Sequence, residues 1–125
     1  NGSDMHFLRM ISLLLFCQAS TAESVRLLIQ KSPLAGSQYY ALGEHWQQMR
    51  VGDRLELIRE PDNRHDPRAI RIEWQGHKLG YVPRAENRVI ARALDEGEKL
   101  SVRVSRLTPH PDPWRRVEFE VLIDL

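Results

Sequence analysis

The chain has 125 residues, 42% of them hydrophobic and 28% charged, which describes one ordinary globular domain able to bury a core without staples. Its 18 Lys and Arg nearly balance 17 Asp and Glu, so the net charge of +1 excludes a uniformly basic, histone-like binder but not a local basic patch. The single cysteine, Cys17, excludes an internal disulfide framework and a multi-cysteine zinc site.

Asn1 to Asp4, ahead of Met5, read as an expression remnant. Met5 to Ala22 has a short start carrying Arg9, an apolar run from Ile11 to Cys17, and the small residues Ser20-Thr21-Ala22. That order predicts a secretory signal peptide over 5–22. The run is too short to span a membrane, and the bulky Phe16 before Cys17 argues against a lipoprotein. The alternative is an apolar first helix or strand packed on the domain. Export would place the protein in the periplasm or outside the cell; without a leader it would be cytoplasmic.

Residues 23–125 then form one domain. Val25, Leu27 and Ile29 alternate with Arg26, Leu28 and Gln30, which predicts a half-buried strand. Tyr39 to Met49 suggests a short helix with Leu42, Trp46 and Met49 at helical spacing. A turn at Val51-Gly52-Asp53 precedes a strand carrying Leu55 and Leu57. Pro61 to Pro67 is loop chemistry throughout. Ile70, Ile72 and Trp74 mark the next strand, Gln75-Gly76-His77 a hairpin turn, and Lys78 to Val82 the return strand. Ala85 to Leu94 predicts an amphipathic helix, with Val89, Ile90, Ala93 and Leu94 inward, stopped at Gly97. Val102 and Val104, then Val117, Phe119, Val121 and Ile123, mark two final strands joined by the proline-rich loop from Thr108 to Pro113. The expected fold is mainly β with one or two short helices, a small OB-like or SH3-like barrel.

The sharpest functional feature is the loop from Glu60 to Ile70. Its prolines restrict a backbone that carries Asp62, Asn63 and Asp66, so Asp66 could accept from a hydroxyl and Asn63 could donate and accept. Such Asx residues can equally satisfy their own turn. Positions 59 to 92 hold eight basic residues against five acidic ones, beside Tyr39, Tyr40, His65 and Tyr81. Rings beside cations suit single-stranded nucleic acid, because bases stack on the rings and phosphates pair with the cations. Tyr40, Tyr81 and Trp74 could instead be core residues and the arginines a solvated helix face, and Trp74 lies on the apolar side of its strand. The five histidines have no HxH or HxxxH spacing, and no serine-nucleophile or phosphate-loop motif occurs. No metal, cofactor or catalysis is therefore expected; an enzyme using Asp62 and Asp66 is the remote alternative.

Three motifs resemble the HIRAN domain family. Gly36-Ser37-Gln38-Tyr39-Tyr40 is similar to its Gly-x-x-Tyr-Tyr element. Arg59 to Ile70 is similar to Arg-Glu-Pro-x-Asn-x-x-Asp-x-x-Ala-Ile, and Gly80-Tyr81-Val82-Pro83 leads into a helix as in the family. The resemblance covers most of residues 25 to 123. It implies an OB-like barrel, found alone in bacteria or fused to helicase-type ATPases, that captures the 3′ end of single-stranded DNA. Carried over, Asp66 would take the terminal 3′-hydroxyl, Tyr39 and His65 would pack on the last bases, and Arg84 would meet a phosphate. Tyr81 would form the pocket rim, with Tyr40 and Asn63 completing the set. Gln38 stands where the family has an arginine and His65 where it has a tyrosine, and both departures should weaken DNA affinity. The resulting expectation is a monomeric, non-catalytic nucleic-acid-binding module. The alternative is an exported protein-interaction or ligand-binding module on the same scaffold, with DNA binding weakened or lost.

Overall fold

Six strands form one antiparallel sheet in the order β1-β6-β5-β2-β3-β4, in a computed structural model that describes residues 25–125. The leader expected over Met5 to Ala22 lies outside the described residues. The strands are β1 (Arg26–Pro33), β2 (Arg54–Arg59), β3 (Ile70–Trp74), β4 (His77–Tyr81), β5 (Leu100–Leu107) and β6 (Val117–Asp124). The two α-helices are a single turn, α1 (Leu42–His45), and α2 (Arg88–Asp95), with single 3₁₀ turns at Ser37–Tyr39, Arg84–Glu86 and Pro113–Arg115. Among the described residues no helix is long and apolar enough to cross a membrane.

Period-two patterning explains the central strands. In β3, Ile70, Ile72 and Trp74 are buried while Arg71 and Glu73 lie half-exposed; in β6, Val117, Phe119 and Val121 are buried. Alternate Cβ atoms point to opposite faces, so one face of each strand feeds the core. Ile90 of α2 and Leu34 join Phe119, Val104 and Leu79 there, all essentially without solvent contact. Trp74 is a core residue whose indole N–H donates to Asp53 Oδ2 at 3.0 Å. The β3–β4 hairpin turns on Gln75 and Gly76, at φ 47° and 80°, with Trp74 paired to His77. Two positive φ values are what a two-residue type I′ turn requires.

Two expectations fail. β1 forms, but it is not half-buried: Leu27, Leu28 and Ile29 are 51%, 51% and 38% exposed. It is an edge strand paired with β6 alone, with a bulge between Leu28 and Gln30 that disturbs the alternation. The helix is also shorter than its pattern. The chain first makes the 3₁₀ turn at Arg84–Glu86, and α2 begins only at Arg88. The inward face is set accordingly: Ile90 and Ala91 are buried, while Val89 is 63% exposed.

The ladder of six strands is open, yet it curls toward a barrel. Just past β1, Ala35 exchanges two backbone hydrogen bonds of 2.9 Å with Tyr81 of β4, at the far edge of the sheet. A Cβ at Gly80 would meet the Ala35 carbonyl oxygen and stand 3.1 Å from Leu34 Cδ1. Only glycine lets the two edges approach this closely. The closure brings the segment after β1, the loop before β3 and the end of β4 to one place.

Candidate functional site

A groove of about 260 Å³ opens at this closure. The loop before β3 contributes Asn63, His65, Asp66 and Ala69; β4 and its exit contribute Tyr81, Val82 and Arg84; Ala35 and Tyr40 complete it. Six of the eight residues singled out from the sequence therefore meet here: Tyr40, Asn63, His65, Asp66, Tyr81 and Arg84. Gln38 and Tyr39 do not line it. Both lie exposed beside it, Tyr39 at 76%, its ring edge-to-face with Tyr40 at 6.5 Å between centroids.

Asn63 spends itself locally. Its Oδ1 accepts from the backbone N–H of His65 at 2.9 Å and of Asp66 at 3.2 Å, an Asx turn that shapes the loop. Its amide donates to Glu60 Oε1 at 2.9 Å. Asp66 is different. It is only 8% exposed, and its Oδ1 accepts the backbone N–H of Arg68 at 2.9 Å while Oδ2 accepts the Asn87 amide at 2.7 Å. Burial, the largest single influence, pushes its carboxyl up. The two hydrogen bonds and the nearby charges of Arg84 and Arg68 together outweigh burial and hold it below the ordinary aspartate range. Asp66 is thus an ionised acceptor in a sheltered place.

The wall behind it is a polar relay that sequence reasoning did not assign. Lys78 Nζ donates to the Tyr81 hydroxyl at 2.8 Å, and that hydroxyl donates to Glu60 Oε1 at 2.9 Å. Glu60 Oε2 accepts from Arg71 Nη1 at 2.8 Å, and Arg71 also reaches Glu73 at 2.9 Å. Burial works against the charge of Glu60, but the donors Asn63, Tyr81 and Arg71 and the charge of Lys78 hold its carboxyl down. Lys78 also sits 4.1 Å above the Tyr40 ring centroid and 4.6 Å from that of Tyr81, with the two rings edge-to-face at 6.0 Å. Burial lowers its affinity for a proton, yet the contacts with Tyr81 and Tyr40 leave it raised. The ammonium locks two rings whose faces and edges border the groove.

The arginines divide into three groups. Arg26, Arg54, Arg59, Arg71, Arg92, Arg103 and Arg106 each hold a carboxylate. Arg50 and Arg116 donate to backbone carbonyls. Arg64, Arg68, Arg84, Arg88 and Arg115 form no ion pair or side-chain hydrogen bond among the described residues, and all are exposed. Arg64, Arg68 and Arg84 belong to the groove segments, Arg88 is the first residue of α2, just past them, and Arg115 lies away from the groove in the turn before β6. Also among the described residues, no group of three His, Cys, Asp or Glu side chains is arranged to hold a metal ion.

These features define a small β-rich domain with one groove combining aromatic rings, a sheltered carboxylate and uncommitted arginines. A HIRAN domain family model matches residues 29–125. Among solved structures, a protein from Lactobacillus plantarum is 26% identical with a TM-score of 0.69, covering 82% of this chain and 98% of its own. The HIRAN domain of human HLTF is 15% identical with a TM-score of 0.56, covering 79% of this chain and 77% of its own, a likeness of fold. No curated protein matches the chain. The chain belongs to the HIRAN domain family, a family of nucleic-acid-binding modules.

Proposed function

We propose that the groove receives the 3′ end of single-stranded DNA and holds it without reacting. The observation that carries this reading is Asp66: a nearly buried, ionised carboxylate at a groove whose flanking arginines, Arg64, Arg68 and Arg84, have no carboxylate of their own. A free hydroxyl donates to such a carboxylate, whereas a terminal phosphate at that position is repelled by it. Tyr39 and His65, both exposed, supply flat faces for the last bases, and each stacked base is worth about 1–3 kcal/mol. Gln38, exposed and uncharged, adds no phosphate contact.

The acids support holding without proton donation. Both Asp66 and Glu60 are held below their ordinary range, so neither keeps a proton to deliver near neutral pH, and a general acid needs a raised pKa. Asp62 is exposed and does not line the groove.

Fluorescence anisotropy with a labelled single strand ending in a 3′-hydroxyl or a 3′-phosphate tests the reading. Tighter binding of the hydroxyl end is expected, with log affinity falling by about 0.7 per phosphate contact for each decade of salt. Equal affinity for the two ends would remove the role given to Asp66.

A further inference from the structure

Asn87 is the N-cap residue of α2, and asparagine there ordinarily turns its side chain onto the helix's own free N–H groups. Here it does not. Its backbone sits at φ −94°, ψ −11°, already helical, and the side chain makes no capping bond. It is 1% exposed, and it reaches 21 residues back in sequence to donate to Asp66 Oδ2 at 2.7 Å. Its own Oδ1 is buried without a partner among the described residues. Turning the amide over would place oxygen against carboxylate oxygen, so the orientation is fixed. The residue thus gives up a cap and leaves a buried acceptor unmet, both of which cost stability, to make one bond to one groove carboxylate.

Building on the reading of the groove given above, we infer that Asn87 is a positioning residue for end recognition, orienting Asp66 so that its free acceptor directions meet a terminal hydroxyl. A carboxylate has about four acceptor directions. The Arg68 N–H takes one on Oδ1 and Asn87 takes one on Oδ2, which stops the group from rotating. Neither donor residue lines the groove, whereas Asp66 does. The capacity left over therefore faces a ligand at a set angle. The charged groups around the carboxylate are Arg68 on its own loop and Arg84 across the groove, with His65 adjacent in the loop. None of them replaces the neutral donor. Without it, the carboxylate turns toward the arginines and reads phosphate and hydroxyl ends with less distinction.

The test compares 3′-hydroxyl and 3′-phosphate single strands on wild type, Asn87→Ala and Asn87→Asp. Asn87→Ala should reduce the preference for the hydroxyl end about tenfold while leaving the salt dependence of binding unchanged, because no phosphate contact is removed. In Asn87→Asp two carboxyl groups face each other and share one proton. At about pH 5 the shared proton stands in for the amide donor and the preference should return; at about pH 8 it is gone and the preference should fall. The terminal phosphate takes its second charge within that interval, so each variant is read against wild type at the same pH. The pH comparison needs only Asn87→Asp and wild type, so it holds even if the alanine variant does not fold. A carboxyl carbon NMR titration provides a readout independent of DNA: the Asp66 midpoint should rise in Asn87→Ala. If wild type distinguishes the ends and both variants do so equally at both pH values, Asn87 has no positioning role and the groove reading stands. If wild type does not distinguish them, the groove reading falls and takes this inference with it.

Discussion

The two ends of the sheet treat their charges in opposite ways. On β1, β5 and β6, cations and acids face one another across strands: Lys31 and Arg103 share Glu120 at 3.3 and 3.0 Å, Arg106 meets Glu118 at 3.4 Å, and Arg26 meets Asp124 at 3.1 Å. Cross-strand register places these pairs directly opposite, as in Arg103 with Glu120. At the groove the pattern reverses. Arg64, Arg68, Arg84 and Arg88 have no acidic partner among the described residues, and the two buried polar atoms without a partner, Ser37 Oγ and Asn87 Oδ1, belong to segments that border it. Apart from Arg115 in the turn before β6, the first end is internally satisfied, whereas the arginines that flank the groove are left to be satisfied by something else. A net charge near zero conceals this local excess, because the sum over the chain does not record where each charge lies.

The largest break in this contrast comes from joining or separating the two ends. Gly80→Val puts branched carbons where the Ala35 carbonyl oxygen and Leu34 already stand. We expect a loss of about 3 kcal/mol in urea unfolding and loss of the groove even where the domain stays folded. Next is Asp66→Ala. It removes the acceptor and strands the Asn87 amide, so hydroxyl-end preference should vanish while stability falls by about 1–3 kcal/mol. Retained preference in a folded Asp66→Ala protein would rule out the proposed role.

Acid sharpens the same comparison. Asp66 and Glu60 both have folded-state affinities for protons below their ordinary values. For such groups the stabilisation is present above the ordinary carboxylate range and is lost as pH falls through the lowered folded value. Thermal melts should therefore be flat from neutral to mildly acidic conditions and decline below about pH 4. Asp66→Ala should show the shallower decline. An equally steep decline in that variant would assign acid sensitivity to other carboxylates.

Much of the fold was legible because it rests on local periodicity. Ile70, Ile72 and Trp74, or Val117, Phe119 and Val121, announce their buried face by alternation alone, and Gln75-Gly76 announces its turn. β1 shows where periodicity stops: alternation marks a strand, but whether anything covers it depends on its place in the sheet, and β1 lies at an edge. Val89 was misplaced because the pattern could not reveal that a 3₁₀ turn precedes α2 and postpones its start. For the site, the loop chemistry of Asn63, His65 and Asp66 was readable within a few residues. Glu60, Lys78 and Asn87 were not, because a decisive contact of each is distant in sequence: Glu60 bonds Tyr81 and Asn87 bonds Asp66, each 21 residues away, and Lys78 sits over the ring of Tyr40. Isolated in sequence, each reads as an ordinary surface polar residue. The one available signal was Glu60, which lies inside the matched motif.

The smallest effects are the most discriminating, since they ask whether an arginine matters because of its charge or because of where it sits. Arg68→Ala and Arg103→Ala each remove one exposed guanidinium and alter net charge identically. If binding answered only to overall charge, both would weaken DNA alike. The structure separates them. Arg103 is engaged with Glu120, so its loss leaves that carboxylate to Lys31 alone and should cost roughly 0–1 kcal/mol of stability, as for other exposed ion pairs. Because it lies away from the groove, the salt dependence of binding should not change. Arg68 has no such partner and flanks Asp66, so its loss should leave stability within about 0.5 kcal/mol and lower the slope of log affinity against log salt by about 0.7. Anisotropy titrations at several salt concentrations, beside urea melts of both variants, measure the two quantities separately. Equal slopes for Arg68→Ala and Arg103→Ala would mean that phosphates do not follow the unpaired arginines. The division between a satisfied end and an unsatisfied one would then describe folding only, with no bearing on where the strand lies.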